Sequence, residues 1–153
     1  MAKLSYFLSI LLGLVLSGCG ATQRVEITKY YEVETTKPYD EVLAELRVAI
    51  SEYNFRVTGH SRVGKVIRER GEIDFPDYDT IQFCNLTYAE ILLRLSPEAV
   101  RHMPCNIVVY SHREQVIVKT RLLPTDTDDE VLNKFSKEIN VQLKEIVDFA
   151  AEE

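Results

Sequence analysis

The sequence predicts an α+β fold, a mostly antiparallel sheet of about five strands with helices packed on one face. Two observations predict it. Short runs with period-two alternation sit between longer stretches whose apolar residues recur at helical spacing. Two of the strand-like runs also follow each other directly, as a hairpin does, which favours antiparallel pairing. The order read along the chain is β-α-β-(α)-β-α-β-β-α.

The first element is not part of that fold. "MAKLSYFLSILLGLVLSGCG" carries one positive charge, Lys3, then an apolar run from Leu4 to Leu16, with no acidic residue before Glu26. These are the n-region and h-region of a secretory signal. The run is too short and too rich in Ser and Gly for a spanning helix. It ends Leu16-Ser17-Gly18-Cys19, which resembles the bacterial lipobox. The resemblance implies that residues 1–18 are removed as a lipoprotein signal peptide and that Cys19 receives a diacylglyceryl group and N-acylation, palmitate being the usual fatty acid. Each buried methylene contributes about 0.8 kcal/mol, so several acyl chains anchor stably where one does not. Gly20, rather than Asp, follows Cys19, which by the same resemblance favours the periplasmic face of the outer membrane over the inner membrane.

Residues 19–24 are then the lipidated N-terminus and a short polar tether, and 25–153 form a single domain. Lys3 is one of 18 basic residues, and all 24 acidic ones lie beyond it, so losing the leader takes the net charge from −6 to −7. That balance excludes a general nucleic-acid binder and a polybasic grip on anionic lipid. The membrane contact is the lipid itself.

Within the domain, Val25, Ile27, Tyr31, Val33 and Thr35 alternate with polar residues as a half-buried strand. "TTKPYDEVLAELRVAISEYNF" is a helix. Pro38 suits its first turn, Asp40 and Glu41 complement its dipole, and Val42, Leu46, Ala49, Ile50 and Tyr53 form its stripe. Asn54 takes the left-handed position that ends it. "FRVTG" is a second strand. "SRVGKVIRERG" is a short helix with Val63, Val66 and Ile67 inward, stopped by Gly71. "TIQFC" is a third strand. "NLTYAEILLRL" is a helix capped by Asn85 or Thr87, the latter forming a capping box with Glu90. "SPEAVRHMP" is a turn or a single helical turn. "CNIVVYS" and "EQVIVKTRLL" are the hairpin, with a loop of three or four residues expected because His112-Arg113 is not a favoured two-residue turn. The last helix starts from a second capping box, Thr127 with Glu130. Its stripe is Leu132, Phe135, Ile139, Leu143, Ile146 and Ala150.

"PYDEVLAELRVAISEYNFRV", then "FCN", then "PCNIVVY" with a further strand and "LLP", resembles the domain-of-unknown-function 302 family (DUF302) over roughly Tyr39 to Pro124. Its marks are a helix ending in a Gly-Phe step, a Cys-Asn-Pro before a helix, and a Leu-Pro-Cys-Asn before a strand. The matches here are Asn54-Phe55, Cys84-Asn85 and Pro104-Cys105-Asn106, with Asn54, Leu86 and Met103 departing from the pattern. The resemblance implies an α+β fold and a tendency to form homodimers. It implies no activity.

Cys84 and Cys105 are the chemically notable residues. With Cys19 lipidated they are the only pair left. Three readings stand. A disulfide between them would close a 21-residue loop, worth about 3 kcal/mol in chain entropy. A redox pair would use Cys84 as attacker, its thiol pKa depressed by the following helix N-terminus. Otherwise they are two buried apolar side chains. His102 with Cys84 and Cys105 is a weak candidate ligand set for a metal or haem iron, without metal-site spacing. His60 and His112 read as loop histidines, and Asn85 and Asn106 as backbone caps. Glu72, Asp74, Asp77 and Asp79 read as a solvated acidic loop lacking calcium-loop spacing. Asp126, Asp128, Asp129 and Glu130 read as helix-start carboxylates. No motif implies a cofactor, and no nucleophile–base pair or phosphate loop is present. The reading is a membrane-anchored periplasmic lipoprotein acting as a non-enzymatic binding or interaction module. The alternative is a thiol-redox or metal/haem-binding protein using Cys84 and Cys105.

Overall fold

The computed structural model describes residues 29–71 and 74–152. The expected signal peptide, the lipidation site Cys19, the tether, and Val25 and Ile27 lie outside them. The elements are β1 (Tyr30–Thr35), α1 (Tyr39–Glu52), β2 (Arg56–Ser61), α2 (Val63–Glu69), β3 (Tyr78–Cys84), α3 (Leu86–Leu95), a 3-10 turn (Pro97–His102), β4 (Cys105–His112), β5 (Gln115–Arg121) and α4 (Glu130–Ala151). The strands form one antiparallel sheet in the order β1-β5-β4-β3-β2. Fold class and element order are as expected. Among the described residues, no helix is long and apolar enough to cross a membrane.

One sheet face carries Ile81, Phe83, Ile107, Val109, Val116 and Val118, all buried. α1 and α4 pack together against it through Val42, Leu46, Ile50, Ile139, Leu143 and Ile146. Burying a side chain of this size contributes about 1.5–3 kcal/mol. The predicted stripes therefore hold. Phe135 is half-buried, in edge-to-face contact with Tyr88, which in turn meets Phe55. Asn54 has φ of 59°, the left-handed value expected of it.

Four local expectations are corrected. Asn85, not Thr87, caps α3, its Oδ1 accepting from the N–H groups of Thr87 and Tyr88; Glu90 instead pairs with Arg94 one turn on. Asp129, not Thr127, caps α4, accepting from Val131 and Leu132, while the Thr127 hydroxyl engages Asn133. In each case the residue immediately before the first helical residue is the cap, because its oxygen reaches the free N–H groups directly; Thr87 already lies inside α3, and Thr127 lies two residues short of Asp129. In α2 the inward residue is Gly64, with Val63 and Val66 exposed. A Cβ there would lie 2.5 Å from the Pro76 carbonyl oxygen and 2.6 Å from the Tyr78 nitrogen, so backbone passes where a side chain would stand. The hairpin loop has two residues, Arg113 and Glu114, His112 pairing with Gln115. Arg113 takes φ of 56°, a conformation that costs a non-glycine residue but keeps the strands in register.

Candidate functional site

The end of the sheet where β3 stops and β4 starts carries the sequence candidates. Cys84 is the last residue of β3, and Cys105, opening β4, lies opposite Phe83. Both thiols are free, and both line one narrow crevice with Phe55, Tyr88, Leu92, His102 and Met103. Burial raises the Cys84 thiol above its ordinary value. Burial also raises Cys105, to about 11, with Cys84 adding to the rise and Arg121 opposing it. The expected depression of Cys84 does not occur. The Asn85 side chain already occupies the N–H groups at the start of α3, and its Nδ2 donates to the Asn54 carbonyl at 3.1 Å. Protonated, partly buried thiols are poor nucleophiles and poor ligands. Among the described residues no three His, Cys, Asp or Glu side chains come together to hold a metal ion, so Cys84, His102 and Cys105 do not assemble into the ligand set considered above.

The crevice adjoins a larger cavity. Leu92, His102 and Leu123 border both. The cavity, about 260 Å³ and half open, lies between α3, the 3-10 turn, the loop after β5 and the first turns of α4. Its walls are Leu92, Leu95, Ala99, Leu123, Pro124 and Leu132, with Ser96 and Ser136 among them and Glu98, Arg101, His102, Asp128 and Asp129 around the opening. Arg101 Nε donates to His102 Nε2 at 3.1 Å, which gives the imidazole a fixed neighbour on the cleft side. One wall is pinned from behind. Buried Asn140 on α4 accepts from the Leu123 N–H at 2.8 Å and donates to the Leu123 carbonyl at 2.9 Å. An apolar cavity with a few convergent polar groups is the usual form of a small-ligand site.

The opposite end of the sheet holds what the sequence reading missed. His60 is in β2, not a loop, and directly faces Ile81. Arg47 of α1 donates to His60 Nδ1 at 2.8 Å, and His60 Nε2 lies 3.0 Å from Asp79 Oδ2. Arginine can only donate, so Nδ1 accepts and the ring proton sits on Nε2, facing the carboxylate. Asp79 is buried within β3, and Asp77 binds Arg68 at 2.6 Å, so these two are not a solvated acidic loop. Tyr39 donates to the Val109 carbonyl, and burial beside Asp79 and Asp77 raises its phenol well above the usual range. The available signal was the alternation itself. Asp79 lies two residues before Ile81 and four before Phe83, at a core-facing position. Asn106 is a β4 residue whose carbonyl accepts from the Thr120 hydroxyl, not a cap. His112 ends β4, as a near-loop residue. Asp126 lies 3.9 Å from Lys29 on the surface.

Three comparisons with known proteins bear on identity. A match to the family described as "Domain of unknown function DUF302" spans residues 31–150. No curated protein matches the chain. The crystal structure of an uncharacterized conserved DUF302 protein from Bacillus stearothermophilus superposes with a TM-score of 0.70 at 20% sequence identity, covering 79% of this chain and 97% of that one. At that identity the likeness speaks for the fold. The family match covers most of the chain, from β1 through nearly all of α4: this protein belongs to the DUF302 family.

Proposed function

We propose that this chain is a lipid-anchored protein of the bacterial cell envelope whose DUF302 domain is a non-enzymatic binding module, holding a small, largely apolar ligand in the cleft between α3, the 3-10 turn and α4. The observation that carries the reading is the cavity of about 260 Å³, walled by leucines and rimmed by polar side chains. At just below the roughly 300 Å³ where such sites usually begin, it suits only a small ligand. The raised thiols argue against a fast nucleophilic or metal site next door at neutral pH. The anchoring rests on the signal-like run Lys3–Leu16 and the lipobox-like Leu16–Cys19 that follows it.

Two measurements test the proposal. Radiolabelled palmitate should enter the wild-type chain in cells and not Cys19→Ala, and the variant should leave the membrane fraction. Equal labelling of both would end the anchoring claim. For the cleft, a neutral apolar dye such as N-phenyl-1-naphthylamine should brighten on binding residues 25–153 and be excluded by Ala99→Leu with Ser136→Leu, which fills the cavity. Undiminished dye binding by a folded double variant would sink the site.

A further inference from the structure

We propose that Cys84 and Cys105 form a reversible intrachain disulfide, a redox-closed clasp in the wall that the thiol crevice shares with the cleft. The argument starts from register. β3 and β4 are antiparallel neighbours, and Cys105 faces Phe83, the residue just before Cys84. Directly facing residues lie about 5 Å apart and one step along a strand is about 3.3 Å, so the two cysteine Cα atoms are about 6 Å apart, within the span a disulfide bridges. Strict alternation would send the two side chains to opposite faces. Cys84, however, although still paired with Arg56 of β2, is the last residue of β3 and lies one step beyond the β3–β4 pairing, and both cysteines line the same crevice. The charge of one thiolate is felt at the other, which also places them close.

The surroundings decide what closure does. The crevice is apolar and narrow, with Leu92, Leu123 and His102 separating it from the cavity. Cys84 precedes the Asn85 cap of α3, and Cys105 follows the Met103-Pro104 link from the 3-10 turn. A bond between the sulfurs ties the base of α3 to the end of that turn, the two elements that make one side of the cleft. The clasp is therefore positioned to stiffen the cleft wall when oxidised and release it when reduced, whatever ligand the cleft takes.

The chemistry is thiol–disulfide exchange with a low-molecular-weight disulfide, RSSR. The Cys84 thiolate attacks RSSR, forming a mixed disulfide and releasing RS⁻, which takes up the proton that Cys84 lost. The Cys105 thiolate then attacks the Cys84 sulfur, expelling the second RS⁻, which is protonated in turn. Two protein thiols are oxidised and RSSR is reduced to two RSH. Because both thiols are protonated at neutral pH, the reaction is slow there and quickens about tenfold per pH unit until the attacking thiol ionises.

The test uses the full chain in mild detergent with bis(2-hydroxyethyl) disulfide as RSSR, between pH 7 and 9. The expected result is a monomer 2 Da lighter than the reduced protein. Its proteolytic map should contain one Cys84–Cys105 peptide, formed roughly tenfold faster per pH unit and reversed by dithiothreitol. Cys84→Ser and Cys105→Ser should each abolish the 2 Da loss. Hydrogen exchange in the segment 96–105 should slow several-fold on oxidation. Two alkylatable thiols after prolonged treatment at pH 9, or a disulfide-linked dimer in place of the monomer, would refute the pair. A disulfide that leaves exchange in that segment unchanged would refute the clasp. None of these readouts depends on ligand binding, so they stand apart from the dye experiment.

Discussion

The two ends of the sheet treat polar chemistry in opposite ways. At the start of β3, Arg47, His60 and Asp79 close on one another, Asp77 closes on Arg68, and Tyr39 closes on the Val109 carbonyl. At the end of β3, the thiols of Cys84 and Cys105, the His102 ring and the rim of the leucine-lined cavity border open space. A closed network stabilises a fold and leaves nothing over for a ligand. A cavity with polar groups at its mouth does the reverse. The difference teaches that the histidine–aspartate pair has its hydrogen-bonding groups taken up by neighbours in the frame, whereas the chemically quiet end holds the cavity in which the proposed ligand would sit.

The comparison breaks first at Asp79. Asp79→Ala should destabilise the protein by about 3 kcal/mol, since it strips a buried partner from His60 and leaves the ring N–H unanswered. Chemical denaturation measures it, and dye binding in the cleft should be unchanged at permissive temperature. A stable Asp79→Ala protein that no longer binds the dye would reverse the roles of the two ends.

The next effect belongs to Cys105 and appears in alkali. A thiol is neutral when protonated, and the fold holds the Cys105 proton up to about pH 11 against an ordinary value of 9.0. Its contribution to stability is therefore complete below pH 9 and is lost as pH rises towards 11, on the order of 2 kcal/mol in all. Under reducing conditions the stability difference between wild type and Cys105→Ala should shrink across that window. A difference that stays constant from pH 8 to pH 11 would mean that the thiol is not desolvated, and the crevice would be as open as the cleft.

These expectations also mark what could be read before folding. The helices were legible because their stripes report burial directly: Val42, Leu46 and Ile50 in α1, and Ile139, Leu143 and Ile146 in α4, are all buried. Period two made the strands legible in the same way. Positions decided by backbone approach were not. Nothing local distinguishes Gly64 from a surface glycine until the chain at Pro76 to Tyr78 lies against it. At α3 Asn85 and Thr87 were both candidates and Asn85 is the cap, whereas at α4 the reading fell on Thr127, two residues short of Asp129, because the pattern S/T-x-x-E names a motif and not which oxygen reaches the free amides. Both cysteines were singled out, yet their environment was not. Cys84 was expected to feel a helix N-terminus that Asn85 in fact occupies. The cavity was invisible, since Leu92 of α3, Ala99 of the 3-10 turn, Leu123 after β5 and Leu132 of α4 come from separate elements and meet only in the tertiary structure.

The smallest effect ties the cap to the thiol beside it. Asn85 accepts from two α3 amides and donates to the carbonyl of Asn54, the left-handed residue that ends α1. Asn85→Ala should cost about 1 kcal/mol, the usual loss for an N-cap. It should also free the amides of Thr87 and Tyr88 to face Cys84, favouring the thiolate, so Cys84 should alkylate several-fold faster at pH 8 than in wild type. Asn85→Asp keeps an acceptor at the cap and adds a charge that repels a thiolate, so stability should hold and alkylation should not accelerate. If Asn85→Ala loses the expected stability while Cys84 stays as slow as before, burial alone sets that thiol. The cap then owes nothing to the chemistry at this end of the sheet. If alkylation rises in Ala and not in Asp, one asparagine both starts α3 and keeps its neighbour protonated, which is how this end of the sheet stays chemically quiet.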